Sequence, residues 1–340
     1  MADPIGFAIN ASGYVSQEYA KAIQSHPDAR LVGITSRTPA NAERFVQELG
    51  LDCKIYPDYE ALLDDGDVAA VAITTPNHLH AQNAVDACKA GKHIILEKPP
   101  AISHEGCDAI EAAVREAGIT SVVGFVLRWN PLVLNLRQLL DQGALGEIFF
   151  AQTDYWHGAG KVISPDRWLA KKEYTGSVML AGGSHAVDMI RFLVGSEVVK
   201  VAAFCLKRLE GFGYDTTESG ILHFANGAVG RVSACLDLAG PYQFNIELLG
   251  SEGTARDNRI WSQKLTPEQD DFYELPCVQP NSGDVAHHPF TGEVAHFIDC
   301  IQQGRDCSPN IADGLKTVRV CLAMDEAAQA GEVVAVRGSA

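Results

Sequence analysis

Compact apolar runs alternate with helical spacing through the first part of the chain. IGFAI, ARLVGIT, CKIY, VAAVAIT, HIILEK and SVVGFV are short stretches bounded by turn residues, the pattern of strands buried on both faces of a sheet. Between them apolar side chains recur every three or four positions, as at Phe45, Val46 and Leu49. Gly50, Gly91 and Gly118 stand where left-handed helix ends belong. Six strands with five helical connections predict an α/β Rossmann domain over residues 1–124, a doubly wound parallel sheet with right-handed crossovers.

After the helical stretch PLVLNLRQLLDQG the rhythm lengthens. GEIFFAQTDYW, VVKVAAFCLKRL, ESGILHFANGAVGRVSACLDL and PYQFNIELLGSEG read as longer strands, with ANG a hairpin turn between ILHF and AVGRVSA. The pattern predicts an α+β domain over residues 125–340, built on a large, mostly antiparallel sheet. One face of that sheet stays open for substrate or for another subunit. Helical spacing returns in EVAHFIDCIQQG and IADGLKTVRVCLAMDEAAQAG.

Composition then removes some classes of function. A chain of 340 residues, 46% hydrophobic and 21% charged, has enough material for two ordinary cores. Its formal charge of -16 argues against nucleic acid or an anionic membrane surface as partner. No apolar run reaches the length needed to span a bilayer. The start MADPIGFAIN enters a strand pattern without the features of a leader. Nine cysteines without a C-x-x-C pair suit free thiols in a reducing cytoplasm, and no zinc-like ligand spacing stands out, so no metal is expected.

The first candidate chemistry lies after the opening strand. A G-x-G-x-x-G turn uses its glycines for a tight bend, for close approach of backbone to pyrophosphate, and for helix–strand packing. Here those places hold Ala11, Gly13 and Ser16, which keeps the phosphate-facing glycine and substitutes small residues for the others. Alone, such a turn is as much an ordinary strand–helix connection as a cofactor cradle. Asn10, Ala11, Ser12, Gly13, Tyr14 and Val15 are the candidate cofactor residues, with Asn10 offering a hydrogen bond that a standard turn lacks. At the end of the second strand, Ser36 and Arg37 replace the acidic residue that would hold the ribose of NAD. A hydroxyl and a guanidinium suit a 2'-phosphate, so NADP is favoured over NAD.

HIILEKPP is the most specific stretch. Glu97, Lys98 and Pro99 end the fifth strand at the lip of the crevice where such sheets bind ligands. Arg128 and Asn130 leave the sixth strand at the same edge, and Arg128 is a further cofactor candidate. Tyr155, Trp156, His157 and Trp168 form an aromatic stretch suited to sugar or nicotinamide faces, or equally to a core. Trp168 is assigned to the cofactor, and Tyr155 and His157 to substrate. His287 and His288 sit in a polar loop, with His288 placed on the substrate side.

These stretches, together with ITTPNHLHAQNAVDACKAGKH, GGSHAVDMIRFLVG, ELLGSEGTARDN and PFTGEVAHFIDCIQQGRD, make a chain that resembles the glucose-fructose oxidoreductase and inositol dehydrogenase family, Gfo/Idh/MocA, over almost its whole length. The resemblance implies an NAD(P)-dependent oxidoreductase moving a hydride to or from a ring carbon of a sugar, sugar derivative or cyclic polyol. It also implies a homodimer or homotetramer paired through the C-terminal sheet. By the same resemblance Lys98 bonds the reacting hydroxyl, and Thr74, Thr75, Pro76, Asn77 and His80 border the cofactor, with Glu97 beside the nicotinamide ribose. The acid–base residue is His185, histidine being suited to proton transfer near neutral pH. In AGGSHAVD the family's Asp, three residues, His, two residues, Asp is matched at His185 and Asp188, but its first Asp is Ala181. That departure keeps two alternatives open: redox-neutral cleavage of a glycoside with a retained cofactor, and a non-catalytic dinucleotide- or sugar-binding regulator.

Overall fold

The computed structural model describes residues 3–158, 160, 163–280 and 288–338. The chain divides into two compact units, one reaching Phe125 and including Pro289–Leu315, the other formed by Val126–His288 with Lys316 onward. Against the division at 124 read from the sequence, the stretch 289–315 packs with the first unit. Its helical spacing showed a buried face but not which core that face joins.

In the first unit, β1 (Ile5–Asn10), β2 (Ala29–Thr35), β3 (Lys54–Tyr56), β4 (Ala70–Ile73), β5 (His93–Leu96) and β6 (Ser121–Val123) form one sheet in the order β3-β2-β1-β4-β5-β6. Every neighbouring pair is parallel. The connections contain α1 (Tyr14–Ser25), α2 (Pro39–Leu49), α3 (Tyr59–Asp64), α4 (Asn77–Lys89) and α5 (His104–Ala117). All four residues of β4 are buried, which is why it reads as an unbroken apolar run. Gly50 and Gly118 end α2 and α5 at φ of 60° and 62°, a conformation that costs little without a Cβ. The order of strands reverses between β1 and β4, and the carboxyl ends of these two strands are where such a sheet accepts a ligand.

The second unit begins with a short 3-10 turn, Val126–Trp129, and α6 (Pro131–Asp141). Its sheet comprises β7 (Ile148–Trp156), β8 (Val198–Leu206), β9 (Thr217–Phe224), β10 (Val229–Cys235), β11 (Gln243–Gly250), β12 (Gly253–Arg256), β13 (Arg259–Ser262), β14 (Tyr273–Glu274) and β15 (Val334–Ala335). The order is β14-β13-β12-β11-β7-β10-β9-β8-β15. Only β7 and β10 run parallel, and β9 and β10 form the hairpin that the ANG turn predicts.

One face of this sheet is covered by α7's successor in the chain, the helix Ser184–Val194 (α8, after the short α7, Lys172–Thr175). Nine of its eleven residues are buried. Thr153 on β7 donates its hydroxyl to the Ala186 carbonyl at 2.8 Å, fastening helix to sheet. Inside, Arg128 grips Asp188 with two bonds of 2.8 and 2.6 Å, both side chains being almost wholly enclosed. Thr317 donates to the same carboxylate at 3.3 Å and accepts from Arg191 at 2.7 Å. Arg128, expected on the cofactor, gives its Nε and one Nη to this internal carboxylate and rests over the Phe192 ring at 4.7 Å.

Removing one partner of such a pair strands a buried charge. Asp188→Ala is expected to cost about 3–5 kcal/mol of stability, read by urea denaturation, whereas Asp188→Asn, which keeps an acceptor, costs less.

Candidate functional site

The turn after β1 is built on side-chain hydroxyls. Ser16, fully buried on α1, accepts the Gly13 N–H at 3.0 Å, and its hydroxyl lies 2.8 Å from that of Thr74 at the end of β4. Thr74 in turn donates both its N–H and its hydroxyl to the Asn10 carbonyl, each at 3.2 Å. The position of the third glycine has thus become a hydrogen-bonding clamp across the β1–β4 junction. Asn10 is only 6% exposed, and its carbonyl ties the two strands together.

Ala11, in the place of the first glycine, has φ of 124°, a left-handed backbone that strains an L-residue. The tight bend is retained although the glycine is not. Gly13 is exposed, and a Cβ placed on it meets nothing within 4 Å. That open space over bare backbone is what a pyrophosphate needs, and the turn fits a dinucleotide. Tyr14 is 52% exposed beside it. Ser12 lies 2.9 Å, hydroxyl to hydroxyl, from Ser36 after β2, so the two halves of the expected adenosine-ribose site are joined. Arg37 is exposed, and among the described residues its guanidinium forms no hydrogen bond or ion pair. A cavity of about 270 Å³ beside Ser12 is lined by Gln17, Asn41, Arg44, Phe45 and Glu48. Arg44 and Asn41 were not singled out in the sequence because a polar helix face facing a cavity looks like one facing water.

At the end of β4, Thr74, Thr75 and Pro76 are partly exposed and Asn77 is buried. Thr75 donates to Asn83 at 2.9 Å. His80 is 1% exposed, and its ring nitrogens lie 2.7 Å from the Pro99 carbonyl and 2.6 Å from that of Thr75. Burial pushes its pKa down to about 4. Neutral, His80 has one N–H to give, so it bonds one of these carbonyls and packs against the other, between the turn after β4 and the turn after β5, with almost no surface left to border a cofactor.

Glu97 and Lys98 follow β5. Glu97 is 7% exposed and accepts the Lys98 N–H at 3.1 Å and the Tyr19 hydroxyl at 3.1 Å. Burial raises the Glu97 pKa, against the pull of Lys98. Burial lowers that of Lys98, with Glu97 opposing, and the Lys98 side chain remains partly exposed. A lysine in this balance gives up its proton more readily than a solvated one.

In the second unit, four residues assigned to substrate from the sequence come together. Tyr155 on β7 stacks with His185 at 6.1 Å and 17° and with His157 at 6.2 Å and 18°. His185 meets His288 edge-on at 5.8 Å. The fifth member, Tyr242, packs against Tyr155, His157 and His288 at 5.3, 5.4 and 6.1 Å. It was missed because a tyrosine leading into a strand reads as core. Among the described residues its buried hydroxyl finds no hydrogen-bond partner, and burial lifts its pKa well above normal. Burial also pushes the Tyr155 pKa up to about 12. Such phenols remain protonated and offer donors to a polar ligand. A Cβ on Gly182 would stand 2.3 Å from the Tyr155 ring, so the glycine makes room for the cluster. Gly182 and Ala181 belong to a single wide π turn, Met179–Gly183, leading into α8, an irregularity frequent at functional sites. Trp168 lies on a short 3-10 turn, Trp168–Ala170, and joins no ring of the cluster. His287 falls outside the described residues.

One possible metal group emerges despite the expectation of none. His296, Cys300 and Cys307 bring ligand atoms within 4.8 Å of one another. The His296 Nε2 lone pair already accepts the Ser308 N–H at 3.1 Å, and burial raises the Cys307 pKa. No described helix is long and apolar enough to cross a membrane.

Comparison with known proteins follows the same division. Residues 5–125 match the family model described as an oxidoreductase family with an NAD-binding Rossmann fold, and residues 133–256 match the GFO/IDH/MocA C-terminal domain. A levoglucosan dehydrogenase of Pseudarthrobacter phenanthrenivorans is 30% identical over 318 residues, covering 80% of each chain. An inositol 2-dehydrogenase of Rhizobium meliloti is 27% identical over 318 residues, covering 92% of this chain and 93% of that one. A solved levoglucosan dehydrogenase in complex with NADH superposes with a TM-score of 0.88 at 26% identity, covering 98% and 99% of the two chains.

Ala11→Gly is expected to relieve backbone strain and raise unfolding free energy by about 1 kcal/mol in urea denaturation. Gly13→Val is expected to leave stability nearly unchanged, since space is open there, while sharply weakening NADPH or NADH binding in a fluorescence titration.

Proposed function

The chain belongs to the Gfo/Idh/MocA oxidoreductase family, and on that footing we propose that it oxidises a ring CH–OH of a sugar, anhydrosugar or cyclic polyol, or reduces the corresponding ketone, with NADP preferred to NAD. The nicotinamide, when bound, accepts or returns the hydride. In the oxidation the hydroxyl proton must leave as the carbonyl forms. Lys98 carries the proposal: it is a partly exposed lysine at the carboxyl end of β5, with a pKa lowered by burial and a carboxylate beside it. We assign it the hydrogen bond to the reacting hydroxyl. His185 is assigned a second proton-handling role, supported by its place among Tyr155, His157, Tyr242 and His288, a set of rings and polar tips suited to a carbohydrate face.

The preference for NADP is supported by Ser36 and Arg37 in the place of an acidic residue, and by the uncommitted guanidinium of Arg37. Ala181 offers no carboxylate for the substrate, which favours a ligand with fewer hydroxyls to satisfy than a free inositol. An oligomer paired through the second unit's sheet is supported by Phe204, Leu206 and Ile221 on adjacent strands β8 and β9, exposed by 81%, 54% and 49%. Nine free cysteines accord with a cytoplasmic setting.

Steady-state assays over monosaccharides, anhydrosugars and inositols with both cofactors are expected to find turnover with one of these classes. Lys98→Ala should lower kcat by about 10²- to 10⁴-fold while NADPH still binds. Absence of turnover across the panel, or an active Lys98→Ala enzyme, rejects the assignment. Arg37→Ala should weaken NADPH binding by about ten- to hundredfold and leave NADH binding unchanged.

A further inference from the structure

Behind Lys98 the first unit holds three acidic groups in its interior, with a single hydroxyl between two carboxyls. The Tyr19 oxygen lies 3.1 Å from Oε1 of Glu97 and 2.9 Å from Oε2 of Glu293, the latter on α9 (Phe290–Gln303). Tyr19 and Glu293 are 0% exposed and Glu97 is 7% exposed. A phenol has one proton to give. Were both carboxyls ionised, one of these contacts would set an anionic oxygen against a lone pair, and two negative charges would share a closed space. One carboxyl must therefore carry a proton and donate it to the Tyr19 oxygen.

The surroundings decide which. Glu97 accepts the Lys98 N–H through its other oxygen and has the Lys98 charge nearby, both of which favour the anion. Glu293 has neither: its Oε1 is buried without a hydrogen-bond partner, and among the described residues no Lys, Arg or His bonds to it. The titratable groups that face it are Tyr19 from α1, Glu97 after β5, and Cys307 beyond its own helix. None is a cation. Burial and the Glu97 charge raise its pKa well above the carboxylate range, in agreement with the geometry.

We propose that Glu293 is a positioning residue: it stands as the neutral acid, donates to the Tyr19 hydroxyl, and so commits the one Tyr19 proton to Glu97, which is held as the only anion of the three, beside Lys98. Its bearing on catalysis rests on the reading of Lys98 as the proton-handling group. The chain runs from the Glu293 acid through the Tyr19 hydroxyl to the Glu97 carboxylate, and each oxygen along it has one defined direction. The fold makes space for this at Gly124, where a Cβ would stand 2.8 Å from Oε1 of Glu97 and 3.0 Å from the Tyr19 oxygen. Phe290 closes the other side, meeting the Tyr19 ring edge-on at 5.1 Å.

Burial pushes the Glu218 pKa up to about 9, so an acid band from that group is common to all the variants. The infrared difference spectrum at neutral pH, parent minus Glu293→Gln, should show one further carbonyl stretch of an un-ionised buried carboxylic acid, and the same difference should persist on the Lys98→Ala background. Tyr19→Phe deprives Glu97 of its donor and should lower the apparent pKa of the Lys98-dependent limb of the kcat/KM profile by about one unit. The conservative Glu293→Gln, whose amide still donates to Tyr19, should keep the parent profile. The proposal is overturned if the parent and Glu293→Gln show the same acid bands, or if that variant shifts the profile as far as Tyr19→Phe. Should Tyr19→Phe fail to fold, the infrared comparison decides alone. An active Lys98→Ala enzyme with the band behaving as expected would remove Lys98 from the chemistry and leave the protonation of Glu293 standing.

Discussion

The ligand-binding end of the first unit depends on the junction of β1 and β4, where the order of strands reverses. β1 and β4 stay paired to their last residues, Asn10 and Ile73, and the turns that leave them there carry backbone groups that need partners. Ser16, Thr74 and the Asn10 carbonyl supply a hydroxyl-based clamp across the junction. A standard dinucleotide turn reaches close packing with a third glycine. Here Ser16 reaches it with a buried oxygen that holds the Gly13 N–H and so fixes the bend. The strain of Ala11 at φ 124° persists because the clamp over-determines the turn around it.

The second unit answers a different problem, the placing of a histidine on a helix that is buried nearly all round. Such a helix has little polar surface to fix its rotation. The Arg128–Asp188 pair and the Thr153 bond provide that registration, and the residue three before Asp188 is His185. Enclosed ion pairs give little net stability, but they make wrong rotations expensive, because any other packing strands a charge. The adjoining π turn and Gly182 then let the Tyr155 ring lie flat against the start of the helix, where His185 is.

Both units use buried polar groups in this way, and both conceal them from a linear reading. His80 looks like a ligand-facing histidine at the start of a helix, and its carbonyl partners come from turns 5 and 19 residues away. Glu293 looks like one acidic residue among many in an amphipathic helix, and its partner Tyr19 lies 274 residues earlier. Charge and periodicity describe the surface a residue prefers. They carry no information on which single polar atom will meet it inside.

What the sequence determined by itself is local and periodic. Fully buried parallel strands have to be apolar throughout, so β1, β2, β4 and β5 were legible; helix ends that need positive φ have to be glycine, so Gly50 and Gly118 were legible; a half-open sheet has to alternate, so the β9–β10 hairpin was legible. The motif stretches also led to Gly13, Ser36, Arg37, Lys98 and the four rings Tyr155, His157, His185 and His288. Only the tertiary structure decided that Arg128 belongs to Asp188, that Asn10 and His80 bind the scaffold to itself, that Tyr242 completes the ring cluster, and that 289–315 packs with the first unit. Each of these depends on a hydrogen bond or packing contact between residues far apart in the chain. Residue type sets which partners are chemically allowed, and the fold alone sets which one is within 3 Å.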